Sequence, residues 1–577
     1  MKTLSSEVFT PIQRFWRLLK PDRKEIRNVY VYSVFHGLIY LSLPLGVQAI
    51  VNLIQGGQVN TSWVILVSFV VLGVALNGLL QILQMKITED LQQKIFTRAA
   101  FEFTFRIPLI RMESLYRHYA PELMNRFFDV MTVQKGLSKI LIDFSTASLH
   151  IIFGLMLLSL YHPFFIAFSL VLVVLVYAIF RYTGEKGLKA SLQESKHKYQ
   201  LAHWLEELAR VSTTFKMAGK TDMHMQRTDE HTGSYLESRN EHFSVLIQQS
   251  SLMVVFKVIV ALGLLAIGGI LVMEQQMNIG QFVAAEIIIL LIMNSVEKLI
   301  MSLETFYDVL TALEKIGQVT DLDLENVNGQ DLGQSSTDGV TVQMEDVSFW
   351  YPDNASPVLE DVSIKINAGE KVLITGASGS GKSTLLPIIA GLYDVQKGSL
   401  TFNGMPKGNL ETNSLYSVIG DFMNSEQLFK GTVLENIAMG RPGVSFNMVK
   451  TTVEKLGLES FIRNSSKGYQ TLLAPEGKGL PQHIILKLLL ARSVVHAPAL
   501  LLLETPLSSL DPRDKENIVD FLTDPGHPWS LVAVSTDPYL AGKCDRIIEM
   551  HLGQIIRTGS YSEMKSLFYN PTSDPNA

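Results

Sequence analysis

The sequence predicts an all-α six-helix transmembrane domain followed by an α/β domain built on a phosphate-binding loop. Charged residues make up only 18% of the chain, against roughly 25% in ordinary soluble domains, and mean hydropathy is +0.22. The charge is also unevenly spread. No Asp, Glu, Lys or Arg occurs from Asn28 to Met85, nor from Phe144 to Phe180. Beyond residue 340, short β-rich runs alternate with helical ones, and Gly376-Ala-Ser-Gly-Ser-Gly381-Lys382-Ser383 fits G-x-x-x-x-G-K-[ST].

Crossing hydrocarbon takes about 20 apolar residues, so the first charge-free run holds two spans. The break falls at Gln55 to Thr61, which places spans near 29–54 and 62–85. Tyr161-His162-Pro163 divides the second run into 140–160 and 163–181. A third hairpin, 248–273 and 280–302 joined through Glu274 to Ile279, completes the six. The short hairpin loops carry no Lys or Arg, whereas Arg14, Arg17, Lys20, Arg23, Lys24, Arg27 and the charged segments 86–139 and 182–247 lie on the other side. Both termini are therefore expected in the cytoplasm, with the lipid bilayer as the first partner.

Residues 1–27 are read as a cytoplasmic segment with no cleavable signal peptide. Phe9, Ile12, Phe15, Trp16 and Leu19 alternate there with basic residues, which suits an interfacial helix or an ordinary helix packed on the cytoplasmic extensions. The transmembrane domain is assigned to 28–320, its long intracellular segments continuing the spans as helices. An acidic, apolar-poor linker follows at 321–339, then the α/β domain at 340–568 and a tail at 569–577.

Net charge is -6 and the pI about 6.1, which gives no basic footprint and argues against a nucleic-acid partner. The single cysteine, Cys544, excludes internal disulfides, thiolate metal clusters and Cys-x-x-Cys redox pairs.

The loop at 376–383 follows the strand-like run Glu370 to Thr375 and opens a helix, the context its chemistry requires. Gly376, Gly379 and Gly381 let backbone N–H groups, with those of Ser378 and Ser380, wrap phosphates. Lys382 reaches the terminal phosphates, Ser383 ligates Mg2+, and Thr384 continues the site into the helix. ATP with Mg2+ is the expected ligand.

Six spans joined to such a domain resemble an ABC exporter half-transporter over essentially the whole chain. Tyr351 in Val347-Ser-Phe-Trp-Tyr-Pro352 is similar to the family's aromatic residue that stacks on adenine. Ala120 to Asp129 and Trp204 to Lys216 are similar to its coupling regions. The look is nearest to exporters of type I secretion, which move proteins or peptides with a periplasmic adaptor and an outer-membrane channel. The peptidase module that some peptide exporters carry is not expected here. The resemblance also implies a second half-transporter as partner.

The catalytic positions depart from the family. Pro498 to Asp511 aligns with its metal-binding strand and D-loop, Asp511 holding the register. Glu504 then stands where the family has the metal-binding Asp, and Thr505 where it has the catalytic Glu. Glu504 keeps a carboxylate for Mg2+, but Thr505 cannot act as a base at neutral pH. A positioned base contributes about 10²- to 10⁴-fold. Asp537 replaces the phosphate-facing histidine, and Asn424 the glutamine that senses the γ-phosphate and metal. Leu480-Pro481-Gln482-His483-Ile484 replaces the signature presented to the partner's nucleotide, with Pro481 lacking an N–H and Gln482 and His483 adding bulk.

Two explanations stay open: lost turnover with retained binding, or a rewired site in which Glu504 or Asp537 acts as base. In a heterodimer with a partner of ordinary motifs, both composite sites would inherit a defect, which favours a homodimer. The function expected is an ATP-dependent exporter with slow or altered hydrolysis; the alternative is a regulatory or structural subunit that only binds ATP. Within the spans, Glu286, Glu297 and Lys257 are candidates for a translocation path, although Glu297 also suits the inner interface.

Overall fold

The computed structural model describes residues 9–56, 61–333, 339–354, 356–423, 427–504 and 510–569. It divides into two compact units, Met1–Pro108 with His118–Leu322, and Leu109–Arg117 with Asp323–Ala577.

The first unit is helical because a chain in hydrocarbon satisfies its backbone N–H groups only within its own helix. In chain order the helices are α1 (Pro11–Leu19), α2 (Arg23–Tyr40), α3 (Ser42–Gln55), α4 (Thr61–Arg106) and, past α5 (Met112–Tyr116) of the second unit, α6 (Ala120–Asn125), α7 (Asp129–Ser159), α8 (Pro163–Arg210), α9 (Ser212–Met217), α10 (Met223–Gly263), α11 (Gly269–Met273) and α12 (Ile279–Thr320). Among the described residues, six helical segments are long and apolar enough to cross a membrane.

Local chemistry sets the turns. At the second hairpin His162 accepts the backbone N–H of Phe164, and Pro163 occupies the first helical position, where its missing N–H costs nothing. At the third, Asn278 and Gln281 form a capping box. The first span differs from the unbroken helix expected at 29–54. It divides between Tyr40 and Ser42 because Pro44 has no N–H for the Tyr40 carbonyl and its ring crowds that oxygen.

Helices approach closely where glycine leaves room. A Cβ on Gly136 would lie 2.3 Å from Val309 Cγ2, and one on Gly187 2.4 Å from Tyr307 Cε2. Buried polar groups pair across helices: Gln84 Nε2 donates to Ser33 Oγ at 2.9 Å, and Gln249 Nε2 to Thr183 Oγ1 at 3.0 Å and Tyr307 Oη at 3.1 Å. In the extensions, Tyr199 Oη donates to Asp129 Oδ2 at 2.5 Å and the Arg126 guanidinium covers the Tyr199 ring at 3.8 Å. Helix α1 sits on α12, with Phe15 edge-on to Phe306 at 5.7 Å and Arg14 paired with Glu314 at 3.4 Å. Its Ile12 and Trp16 face outward.

The second unit carries strands β1 (Val342–Phe349), β2 (Leu359–Ile366), β3 (Lys371–Gly376), β4 (Lys397–Phe402), β5 (Met405–Pro406), β6 (Ile419–Phe422), β7 (Gly431–Thr432), β8 (Leu472–Leu473), β9 (Leu500–Glu504), β10 (Ser530–Val534), β11 (Arg546–His551) and β12 (Gln554–Gly559). A six-stranded sheet runs β12-β11-β3-β10-β9-β6, parallel except for edge strand β12. Strands β3, β9 and β10 read as nearly continuous apolar runs because both faces of this sheet are covered. An antiparallel sheet, β2-β1-β4-β5, lies beside it, and β7 pairs with β8. The helices are α13 (Lys382–Ile389), α14 (Thr412–Ser417), α15 (Val433–Ala438), α16 (Phe446–Lys455), α17 (Glu459–Asn464), α18 (Gln482–Val494), α19 (Pro512–Thr523) and α20 (Pro538–Ala541), with the short Tyr561–Met564 and Ser566–Tyr569 after the last strand.

The polar stretch after residue 322 is held by backbone bonds within this unit. Arg111 N donates to Asp323 O at 3.0 Å, Glu325 N to Leu109 O at 2.7 Å, and Gln330 N to Asn409 O at 2.7 Å.

His496, at the end of α18, is half-buried with Nε2 3.2 Å from Ile419 O, and its Nδ1 has no partner among the described residues. Burial, with Arg441 nearby, pushes its imidazole down to about 4. The unfolded chain, with a histidine near 6.5, therefore binds the extra proton first. Stability is full above that value and falls as pH drops from 6.5 toward 4, by at most on the order of 3 kcal/mol. The melting temperature of the second unit, read by tryptophan fluorescence on the full-length protein, should fall between pH 7 and 5, and His496→Gln should flatten that slope.

Candidate functional site

The phosphate loop begins where β3 ends. Gly376, Gly379 and Gly381 have φ of 143°, 80° and 95°, values that L side chains rarely adopt. A Cβ on Gly376 would lie 2.2 Å from Met550 O, and one on Gly381 2.8 Å from Leu359 Cδ2. Helix α13 starts directly after Gly381. Lys382 Nζ folds back on the loop, donating to Gly376 O at 2.8 Å, Ala377 O at 2.6 Å and Ser380 Oγ at 3.2 Å. Burial lowers the Lys382 ammonium from the usual lysine range, the Glu504 carboxylate acting the other way. Ser383 is exposed and Thr384 buried.

Glu504 ends β9, half-buried, and its side chain makes no hydrogen bond or ion pair among the described residues. Its carboxylate acts on Lys382 and has no side-chain partner among the described residues, which fits a site for a cation such as Mg2+. Thr505 and Asn424 lie outside the described residues. Asp511 caps α19 by position, its carbonyl accepting from Lys515 N at 2.8 Å.

Asp537 is engaged on both oxygens. Oδ1 accepts from Tyr539 N at 2.9 Å and Leu540 N at 3.0 Å, and Oδ2 pairs with Lys515 Nζ at 2.7 Å. Burial opposes its ionisation, but the Lys515 ammonium and the two helix N–H groups outweigh it, and the carboxyl sits below the ordinary range. Such a group is a poor proton acceptor. Pro481 stands at the N-cap of α18, its carbonyl accepting from Ile484 N at 3.0 Å. Gln482 and His483 are exposed, Ile484 is buried, and Leu480 is half-buried against the sheet core.

Tyr351 donates to or accepts from Thr384 Oγ1 at 3.2 Å, which ties the aromatic loop to the helix behind the phosphates. Its ring meets Tyr393 edge-on at 5.7 Å and is stacked by Tyr116 of α5 at 5.1 Å and 15°. Helix α5 is pinned to this loop region by Arg117 to Asp353 at 2.7 Å and by Glu113 accepting from Asp394 N at 2.6 Å. Neither Tyr116 nor Lys515 was singled out from the sequence. Their partners lie too far along the chain for any spacing to betray them.

Sequence comparison agrees with this arrangement. The family model described as ABC transporter matches residues 359–508, and the one described as ABC transporter transmembrane region matches 27–296. The chain belongs to the ABC transporters. It is similar to the glutathione/L-cysteine transport system ATP-binding/permease protein CydC of Escherichia coli, 25% identical over 78% of this chain and 75% of that protein. The putative multidrug export ATP-binding/permease protein YgaD of Bacillus subtilis is 23% identical over 96% and 97%. The cyclolysin secretion/processing protein CyaB of Bordetella pertussis is 28% identical over 53% of this chain and 43% of its own length, so the match spans under half of that relative. Among solved structures, a bacterial Atm1-family ABC exporter with ATP bound superposes with a TM-score of 0.85 at 18% identity, over 96% of this chain and 99% of that one, which establishes the fold.

This half-transporter is an integral membrane protein with an ATP-binding unit. Leu109–Arg117 clusters with the nucleotide unit, and Ala120 to Asp129 with the membrane unit. In the spans Lys257 Nζ pairs with Glu297 Oε2 at 2.7 Å, and Glu286 is half-buried with no ion pair among the described residues.

Base–aromatic stacking is worth about 1–3 kcal/mol. Tyr351→Ala should therefore weaken ATP binding by roughly fivefold to a hundredfold, read by titration with a fluorescent ATP analogue at a temperature where the variant is folded, because the lost ring contacts also lower the melting temperature.

Proposed function

We propose that the chain is one half of an ATP-driven exporter whose nucleotide units close on Mg2+ and ATP and reopen slowly. The observation that carries this reading is the intact phosphate loop, with Lys382 and the free Glu504 carboxylate side by side, in a chain that also supplies six spans. Glu504 and Ser383 would hold Mg2+, which supplies charge neutralisation at the terminal phosphates. Lys382 leaves its carbonyl partners for the phosphate oxygens, and Tyr351 orders the adenine.

Two half-transporters are needed, and a homodimer fits best, because a partner with ordinary motifs would leave a defect in each composite site. The inner membrane of a bacterium, with both termini cytoplasmic, suits the distribution of basic residues. The toxin-secretion names of several relatives support protein or peptide cargo, and with it an adaptor and outer-membrane channel.

A non-hydrolysing regulatory subunit is the second reading, and the engaged state of Asp537 favours it, because that carboxylate is unavailable as a base. A nucleotide that binds only the closed state still shifts the conformational equilibrium.

Purified protein in lipid nanodiscs should hydrolyse MgATP slowly, about 10²- to 10⁴-fold below an enzyme with a dedicated base, and Lys382→Ala should abolish that turnover. Equal activity in the two proteins would sink the exporter reading. Between the two carboxylates, Glu504→Gln should stop turnover while Asp537→Asn leaves most of it and lowers the melting temperature. Loss in Asp537→Asn without loss of stability would reverse those roles.

A further inference from the structure

A cavity of about 330 Å³ opens inside the membrane unit between α2, α4, α7 and α12. Its lining is polar where the surrounding spans are not. Asp143 and Lys298 both face it, and neither forms an ion pair within 4 Å among the described residues. His36 and His150 line it as well, each about nine-tenths buried, with rings stacked 5.3 Å apart. His36 Nδ1, His150 Nε2, Asn77 Oδ1 and Thr146 Oγ1 have no hydrogen-bond partner among the described residues.

Depth makes this arrangement costly. At 1.5 Å per residue His150 lies about 14 Å from the outer end of α7, and Asp143 about 24 Å. Lys298 lies about 29 Å along α12. The cavity thus runs from mid-bilayer toward the end of the bundle where the long extensions emerge. A buried polar atom left unpaired costs about 1–3 kcal/mol, and four such atoms line this one cavity. Gln84, which also lines the cavity, is already paired to Ser33, and Glu297 beside Lys298 is already paired to Lys257.

From these groups we infer that the cavity binds a small zwitterionic solute, its carboxylate on Lys298 and its ammonium on Asp143, with the imidazole and amide groups satisfying the atoms between. A pure anion would meet Asp143, and a pure cation Lys298. A neutral solute would leave both charges unpaired. Liquid water occupies about 30 Å³ per molecule, so the volume holds about eleven waters, or a solute of roughly ten to twenty non-hydrogen atoms. An amino acid derivative or di- or tripeptide has that size and that pair of charges. The inference rests on the export reading but names a small solute in place of a protein as cargo, and its test uses no nucleotide, so the two can fail separately.

The test is equilibrium binding to the full-length protein in nanodiscs of phosphatidylglycerol, read by tryptophan fluorescence and by melting temperature. Triglycine is the probe, with N-acetyltriglycine and triglycine amide as single-charge controls. Triglycine should saturate and raise the melting temperature, and each control should bind at least tenfold more weakly. Lys298→Gln should erase the preference for triglycine over its amide, and Asp143→Asn the preference over the acetylated form. No saturable binding of triglycine, or equal binding of all three, overturns the proposal, and the controls on the unmodified protein decide this even if a variant fails to fold. Loss of triglycine binding when phosphatidylethanolamine replaces part of the lipid would assign the cavity to a lipid headgroup and overturn it also.

Discussion

Backbone hydrogen bonding in a medium without water is the constraint on which this molecule depends. It makes every crossing segment a helix, and it throws all polar chemistry in the membrane onto side chains. Association then relies on close approach, which Gly136 and Gly187 permit, and on a few interhelical bonds such as those of Gln249. Around His36, His150, Asp143 and Lys298 side-chain pairing is incomplete among the described residues, and these groups line a cavity.

The nucleotide unit obeys the opposite logic. Its central strands lie between two apolar layers, so the sheet is rigid, and the phosphate loop hangs from its end at backbone angles that glycine alone tolerates easily. Asp537 is held by Lys515 and by the first turn of α20. Pro481 starts α18 while removing an N–H from its tip.

Much of this was legible in the chain. Charge-free runs of membrane length and the turn residues at 161–163 and 278 report local physics, since helix, hairpin and cap each depend on neighbours in sequence. The phosphate loop is legible for the same reason, its glycines, lysine and serine being consecutive. The break at Pro44 was local too, and hydropathy hid it because both halves are equally apolar.

What the sequence could not determine is which distant groups meet. Tyr116 against Tyr351, Lys515 against Asp537, and the gathering of Asp143 and Lys298 about one cavity join residues separated by tens to hundreds of positions. No periodicity encodes such meetings, because they follow from how whole helices and sheets pack. Alone, the sequence determined a six-span protein with a phosphate-binding unit. The tertiary structure decided which of its charges are already neutralised by a partner and which remain for a ligand, because electrostatic pairing is a matter of distances of a few ångströms that only packing sets.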